Sequence, residues 1–130
     1  MTEAKKPIHD SEVETEVWYR GTDRELHGRA LCDVGDFSKV GFGIVELSPG
    51  CNTLPGHYHK KEEEHLYVLE GTGTLHLGDE TYHLVSGSYV NFPAGQQVPH
   101  YVSNESMEPL KYIMVGERLE DDEVVYPDDA

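Results

Sequence analysis

The chain has 130 residues but only two cysteines, one tryptophan, three phenylalanines and ten basic residues, and it has no long apolar run. Each scarcity excludes something. Cys32 and Cys51 are too few for a disulfide framework and lack the paired spacing of a thiolate zinc site, so both are expected as small buried hydrophobes. Ten basic against 25 acidic residues leave a formal net charge of -15, which repels phosphate backbones and anionic lipid. Nucleic acid and membrane surfaces are therefore excluded as expected partners. No segment approaches the roughly 20 apolar residues of a membrane-spanning helix, and no apolar stretch follows Lys5 and Lys6 as it would in a secretory signal. A soluble, cytoplasmic protein is the expectation. Helical periodicity is missing too, as are internal repeats, which leaves no room for a helix-turn-helix domain.

What is present reads as strands. Residues 1–12 are polar and contain Pro7, so they are expected as a flexible lead-in, with a single domain over 13–130. Short runs rich in branched and aromatic residues follow, punctuated by glycine, proline and aspartate: 13–19, 29–34, 40–47, 65–70, 72–77, 80–85, 89–92, 100–103 and 110–115. Strands at this spacing predict an all-β sandwich or barrel. Leu77-Gly78-Asp79-Glu80 predicts a two-residue hairpin, because Gly78 in the first central position accepts a positive φ without steric cost. Leu75 and Leu77 then share one face, and Thr74 and His76 the other. The run Val13 to Tyr19 alternates apolar with polar residues, as an edge or exchanged strand does, and a homodimer paired through it is expected.

One stretch carries chemistry. His57 and His59 stand at i and i+2, so on a strand both imidazoles point to the same face. Four residues later Glu64 opens another strand and offers a carboxylate beside them. His100 follows a second stretch rich in glycine and proline, and the four side chains make a candidate set for one divalent ion. Glu62 and Glu63 compete with Glu64, but Glu62 is expected in the turn. For His9, His27, His65, His76 and His83 a packing or surface role is the expectation. The acids at 62–64, 120–123 and 128–129 read as a solvated surface.

These residues resemble the two motifs of the cupin superfamily. Pro49-Gly50, His57-x-His59, Glu64 and Gly71 are similar to the first; Gly87, Pro93-x-Gly95, His100 and Asn104 are similar to the second. Phe92-Pro93-Ala94-Gly95, Val115-Gly116-Glu117-Arg118 and Val124-Val125-Tyr126-Pro127-Asp128 further resemble a group of small bacterial cupins. The resemblance covers residues 40–116 and implies a double-stranded β-helix, a jelly-roll-like barrel, with a metal held by His57, His59, Glu64 and His100. The turns before His57 and His100 are longer than the motifs prescribe, and the strand-borne residues are expected to keep register. Iron, manganese, zinc or nickel would suit the donor set. Four protein donors leave two octahedral positions for water, dioxygen or a small polar metabolite. Two functions follow: an oxygenase, isomerase or lyase, or a non-catalytic module that binds or senses a small molecule through the same metal.

Overall fold

The computed structural model describes residues 4–32 and 38–127. Asp33 and Val34, placed in a strand by the sequence, lie outside the described residues, as do Asp128 and Asp129. Among the described residues a single 3₁₀ turn, Asp10–Glu12, is capped by His9, whose Nδ1 accepts from the Ser11 amide at 3.1 Å. The remaining elements are eleven strands: β1 Glu16–Trp18, β2 Leu26–Cys32, β3 Val40–Leu47, β4 Tyr58–His59, β5 Glu64–Glu70, β6 Gly73–Leu77, β7 Glu80–Leu84, β8 Tyr89–Phe92, β9 His100–Ser103, β10 Leu110–Glu117 and β11 Val124–Val125. Among the described residues no helix is long and apolar enough to cross a membrane.

Six strands form one antiparallel sheet in the order β1-β2-β3-β10-β5-β8, and three form another in the order β7-β6-β9. Period-two alternation fills the space between them. Along β5 the inward positions are Glu64, Leu66 and Val68; along β10 they include Leu110 and Tyr112. Leu47, Leu66 and Leu110 are fully buried, and they pack with Leu75, Leu84, Phe92 and Val102 from the other strands into one core. The expected all-β barrel is what forms.

Turn chemistry fixes the joints. Leu77 pairs with Glu80 and Gly78 has φ +60°, so the β6–β7 hairpin forms as its sequence predicts. Gly71 has φ +85°, and a Cβ there would lie 2.3 Å from the Pro109 carbonyl oxygen. Only glycine fits. Asn104 is 1% exposed and fully bonded: its Nδ2 donates to Leu47 O and Glu108 O, and its Oδ1 accepts from Ser106. This side chain ties the loop before β10 to the end of β3, a structural use of the second motif's last residue. Both cysteines are free, Cys51 buried and Cys32 half-buried. The β1 run occupies a sheet edge, paired with β2 of its own chain.

Candidate metal centre

The four candidate residues come from three places and meet inside the barrel. His57 and His100 face one another across an antiparallel bridge, and each amide donates to the other's carbonyl, at 3.3 and 3.0 Å. That bridge keeps the longer turns in register. His59 ends β4 and Glu64 begins β5, with the buried Glu62 in the turn between them. One donor atom each from His57, His59 and Glu64 lies within 4.8 Å of the others. His100 joins them through Nε2, 3.7 Å from Glu64 Oε1, with its ring centroid 4.7 Å from that of His57.

Neighbours set which nitrogen each ring presents. His59 Nδ1–H donates to Asp122 Oδ2 at 2.8 Å, which turns Nε2 toward Glu64 Oε1, 3.1 Å away. His57 Nδ1–H donates to the Pro55 carbonyl at 3.2 Å and likewise frees its Nε2. Phe92 stacks on the His100 ring at 3.7 Å and 7°, which fixes the ring plane. Asp122 is held in turn, since its Oδ1 accepts from the amides of Lys61 and Glu62 at 2.9 and 3.1 Å. Glu62 Oε2 accepts from the Leu119 amide at 2.7 Å, and β11 pairs with β4. Residues 117–125 therefore clasp the turn that carries His59. The sequence reading of the acids at 62–64 and 120–123 as solvated surface holds for Glu63, Asp121 and Glu123, 48%, 70% and 63% exposed, and is corrected for two of them: the Asp122 side chain is 6% exposed and Glu62 8%, because both accept backbone hydrogens that would otherwise lack partners.

The electrostatics follow from this packing. Burial pushes the Glu64 carboxyl up, but His100 and His59 beside it outweigh burial and hold it well below the usual carboxylate range. Glu64, with Asp122 next, raises His59 to about 9. Burial and the nearby His100 lower His57. Glu64 Oε1 and His100 Nε2 are nonetheless buried without an aligned hydrogen-bond partner. Orphaned polar atoms are rare and need an explanation. Donors about 2.1 Å from one ion and at right angles lie roughly 3 Å apart, close to the 3.1 and 3.7 Å seen around Glu64 Oε1. Three imidazoles and a carboxylate converging on orphaned atoms fit a divalent ion.

The other histidines are engaged elsewhere. His76 bonds Ser103 Oγ at 2.9 Å and stacks on Tyr101; His65 lies between Tyr89 and Glu63; His27 meets Glu25. His83 is exposed on β7. Sequence reasoning missed β11 and Asp122. Beside the centre lies an open cavity of about 390 Å³ between β1, β2, β3 and β10. Gly116 joins the two, because a Cβ there would stand 3.0 Å from Glu64 Cγ and 3.0 Å from Arg118 Nη1.

Comparison with known proteins agrees with the architecture. Residues 43–116 match the cupin domain family model. Over 98 residues the chain is 36% identical to quercetin 2,3-dioxygenase of Bacillus subtilis (strain 168), covering 72% of this chain and 29% of that protein, so it spans under a third of that relative's length. A sugar phosphate isomerase structure from Silicibacter pomeroyi superposes with a TM-score of 0.83 at 25% identity, covering 95% of this chain and 82% of the other. A polyketide cyclase from Streptomyces resistomycificus does so with a TM-score of 0.78 at 25% identity, covering 97% and 89%. With more than half of its length matched by the family model and its sheets arranged as described, the chain belongs to the cupin family.

Proposed function

We propose that His57, His59, Glu64 and His100 hold one divalent metal ion and that the chain acts there on a small molecule, by chemistry of the oxygenase, isomerase or lyase type. The observation that carries this reading is that donor atoms of His57, His59 and Glu64 lie within 4.8 Å of one another, with His100 Nε2 3.7 Å from Glu64 Oε1 and both of those atoms buried without partners. When bound, the ion would supply a Lewis acid able to polarise a carbonyl or bind oxygen. The protein's own part is positional. Asp122 holds the Nδ1 proton of His59, the Pro55 carbonyl that of His57, and Phe92 covers one face of His100 against water. The relatives act on compounds as different as quercetin and sugar phosphates, so the family supports a small-molecule ligand and leaves its identity to the cavity.

A second reading, a binding module without turnover, is favoured by one feature. The titratable groups on the cavity wall are Tyr19, Arg29, Cys32 and Arg118, none of which is a carboxylate or histidine placed to serve as a general base. Metal analysis of untagged protein, followed by a thermal screen of metabolites, tests the proposal. Stoichiometric metal is expected, lost in His57→Ala, His59→Ala, His100→Ala and Glu64→Gln, and kept in His76→Ala and His83→Ala. Glu64→Gln preserves size while removing the anionic oxygen, so full occupancy in that variant would refute the donor set. Turnover of a metabolite that stabilises the protein would separate enzyme from binder.

A further inference from the structure

The motif Val115-Gly116-Glu117-Arg118 has no role in the four-donor centre, yet its arginine borders the cavity next to it. The hollow exists because inward positions lack side chains. In register, Gly28 faces Val45, Ala30 faces Gly43, Gly43 faces Met114 and Gly41 faces Gly116. Trp18 lies over Gly28, where a Cβ would come within 2.6 Å of Cζ3 of the indole. Trp18, Leu26, Val45 and Met114 thus wall an apolar space, and its volume of about 390 Å³ falls within the range of small-molecule sites, roughly 300–1,000 Å³.

Two cations line it. Arg29 is committed, since its Nε donates to Thr15 Oγ1 at 2.9 Å and its Nη1 lies 3.6 Å from Asp10. Arg118 uses one nitrogen: Nη1 donates to the Glu117 carbonyl at 2.8 Å and stands 3.8 Å from Glu62 Oε1. The guanidinium lies across Gly41, with Nε, Cζ and Nη2 all 3.4–3.5 Å from where a Cβ would be. Its Nε and Nη2 have no hydrogen-bond partner among the described residues. Those two N–H groups form the side-on fork that receives a carboxylate with two parallel bonds. The net charge of -15 repels anions at a distance, so an anion held here depends on local contacts. A sugar phosphate could use the fork, but its hydroxyls would be buried against apolar walls and lose their bonds to water.

We infer that the cavity takes a small organic carboxylate with an apolar body, the carboxylate on the Nε/Nη2 fork of Arg118 and the body against Trp18, Met114 and the glycines of β2 and β3. As a substrate assignment this rests on the metal reading, because the Arg118 guanidinium, through Nη1, and Glu64, through Cγ, approach the same glycine, each 3.0 Å from where a Gly116 Cβ would be; as a binding site it does not. Trp18 is the sole tryptophan, so its fluorescence reports occupancy directly. The protein, as purified and after chelation, is titrated with 3-phenylpropanoate, 3-phenylpropanamide and glucose 6-phosphate. The carboxylate is expected to give a saturable change, with the amide and the sugar phosphate at least about 10-fold weaker. Arg118→Gln should weaken the carboxylate by the same factor. Gly43→Val, which fills the hollow and leaves Arg118 in place, should do so without the arginine being touched; circular dichroism verifies that both variants are folded. No saturable response in the parent, an amide as tight as the acid, a sugar phosphate tighter than either, or an unchanged Arg118→Gln would each overturn the inference. Arg118-dependent binding that survives chelation upholds the cavity site even in protein that takes up no metal, so the two readings fail separately.

Discussion

Replacing Asp122 by asparagine tests the centre through a residue that is not itself a proposed donor. Asp122 Oδ1 accepts two amides and Oδ2 accepts the His59 Nδ1 proton at 2.8 Å. Asparagine can keep the oxygen on the amides, but the atom turned toward His59 becomes an NH₂ donor. The imidazole must then present a bare Nδ1 and carry its proton on Nε2, the nitrogen needed for ligation. Loss of such a supporting carboxylate weakens metal affinity by about 10–100-fold, equivalent to about 1.4–2.7 kcal/mol. Asp122→Ala should lose more, because the Lys61 and Glu62 amides also lose their acceptor. Competition with a chelator of known affinity measures both, and chemical denaturation of the metal-free forms separates affinity from fold. An Asp122→Asn protein within threefold of the parent would refute the argument that this carboxylate selects the His59 tautomer.

Three further outcomes are expected. His59, raised to about 9 between Glu64 and Asp122, contributes stability to the metal-free protein that is fully present below its ordinary value of about 6.5 and is lost as pH rises through 9; metal uptake near neutral pH should therefore release a proton, and a binding enthalpy independent of buffer ionisation would refute this. Gly71→Ala combines φ +85° with a Cβ 2.3 Å from the Pro109 oxygen, whereas Gly50→Ala combines φ +79° with open space, so urea unfolding should show about 3 kcal/mol or more for the first and about 1–2 for the second; equal losses would contradict the packing around Gly71. A homodimer paired through the β1 edge should weaken in sedimentation when residues 1–19 are deleted, and low salt should loosen it because the repulsion between two chains of net charge -15 is then less screened; a compact monomer in the intact protein would end that expectation.

The sequence disclosed strands where alternation was regular and disclosed donors where spacing was short. His57, His59 and Glu64 were legible because a strand's period and one turn bring them together locally. The Gly78 hairpin was legible because a two-residue turn restricts its residues. Asp122 was not. It acts across 63 positions on His59, and within the run Glu120 to Glu123 nothing distinguishes it from acids that face water. β11 escaped because it has two residues, too short for any period, and it exists through pairing with β4. The start of β2 was also missed: Leu26, His27 and Gly28 precede the run begun at residue 29, since only the Trp18 ring lying on Gly28 explains a glycine inside a strand.

The clasp between 117–125 and the turn after His59 has a consequence for how the molecule comes into being. During synthesis the strands from β2 to β9 can emerge and begin to collapse while the amides of Lys61 and Glu62 still await the oxygen of Asp122, and the Lys60 amide still awaits the Glu123 carbonyl. β10, which sits between β3 and β5, completes the six-stranded sheet and ends on Glu117, whose Oε1 accepts from the Glu63 amide, and the residues after it bring the acceptors for the Lys60, Lys61 and Glu62 amides. Barrel closure and site maturation are thus successive events in chain order. A nascent chain halted after Glu117 has all its core strands and an unfinished centre.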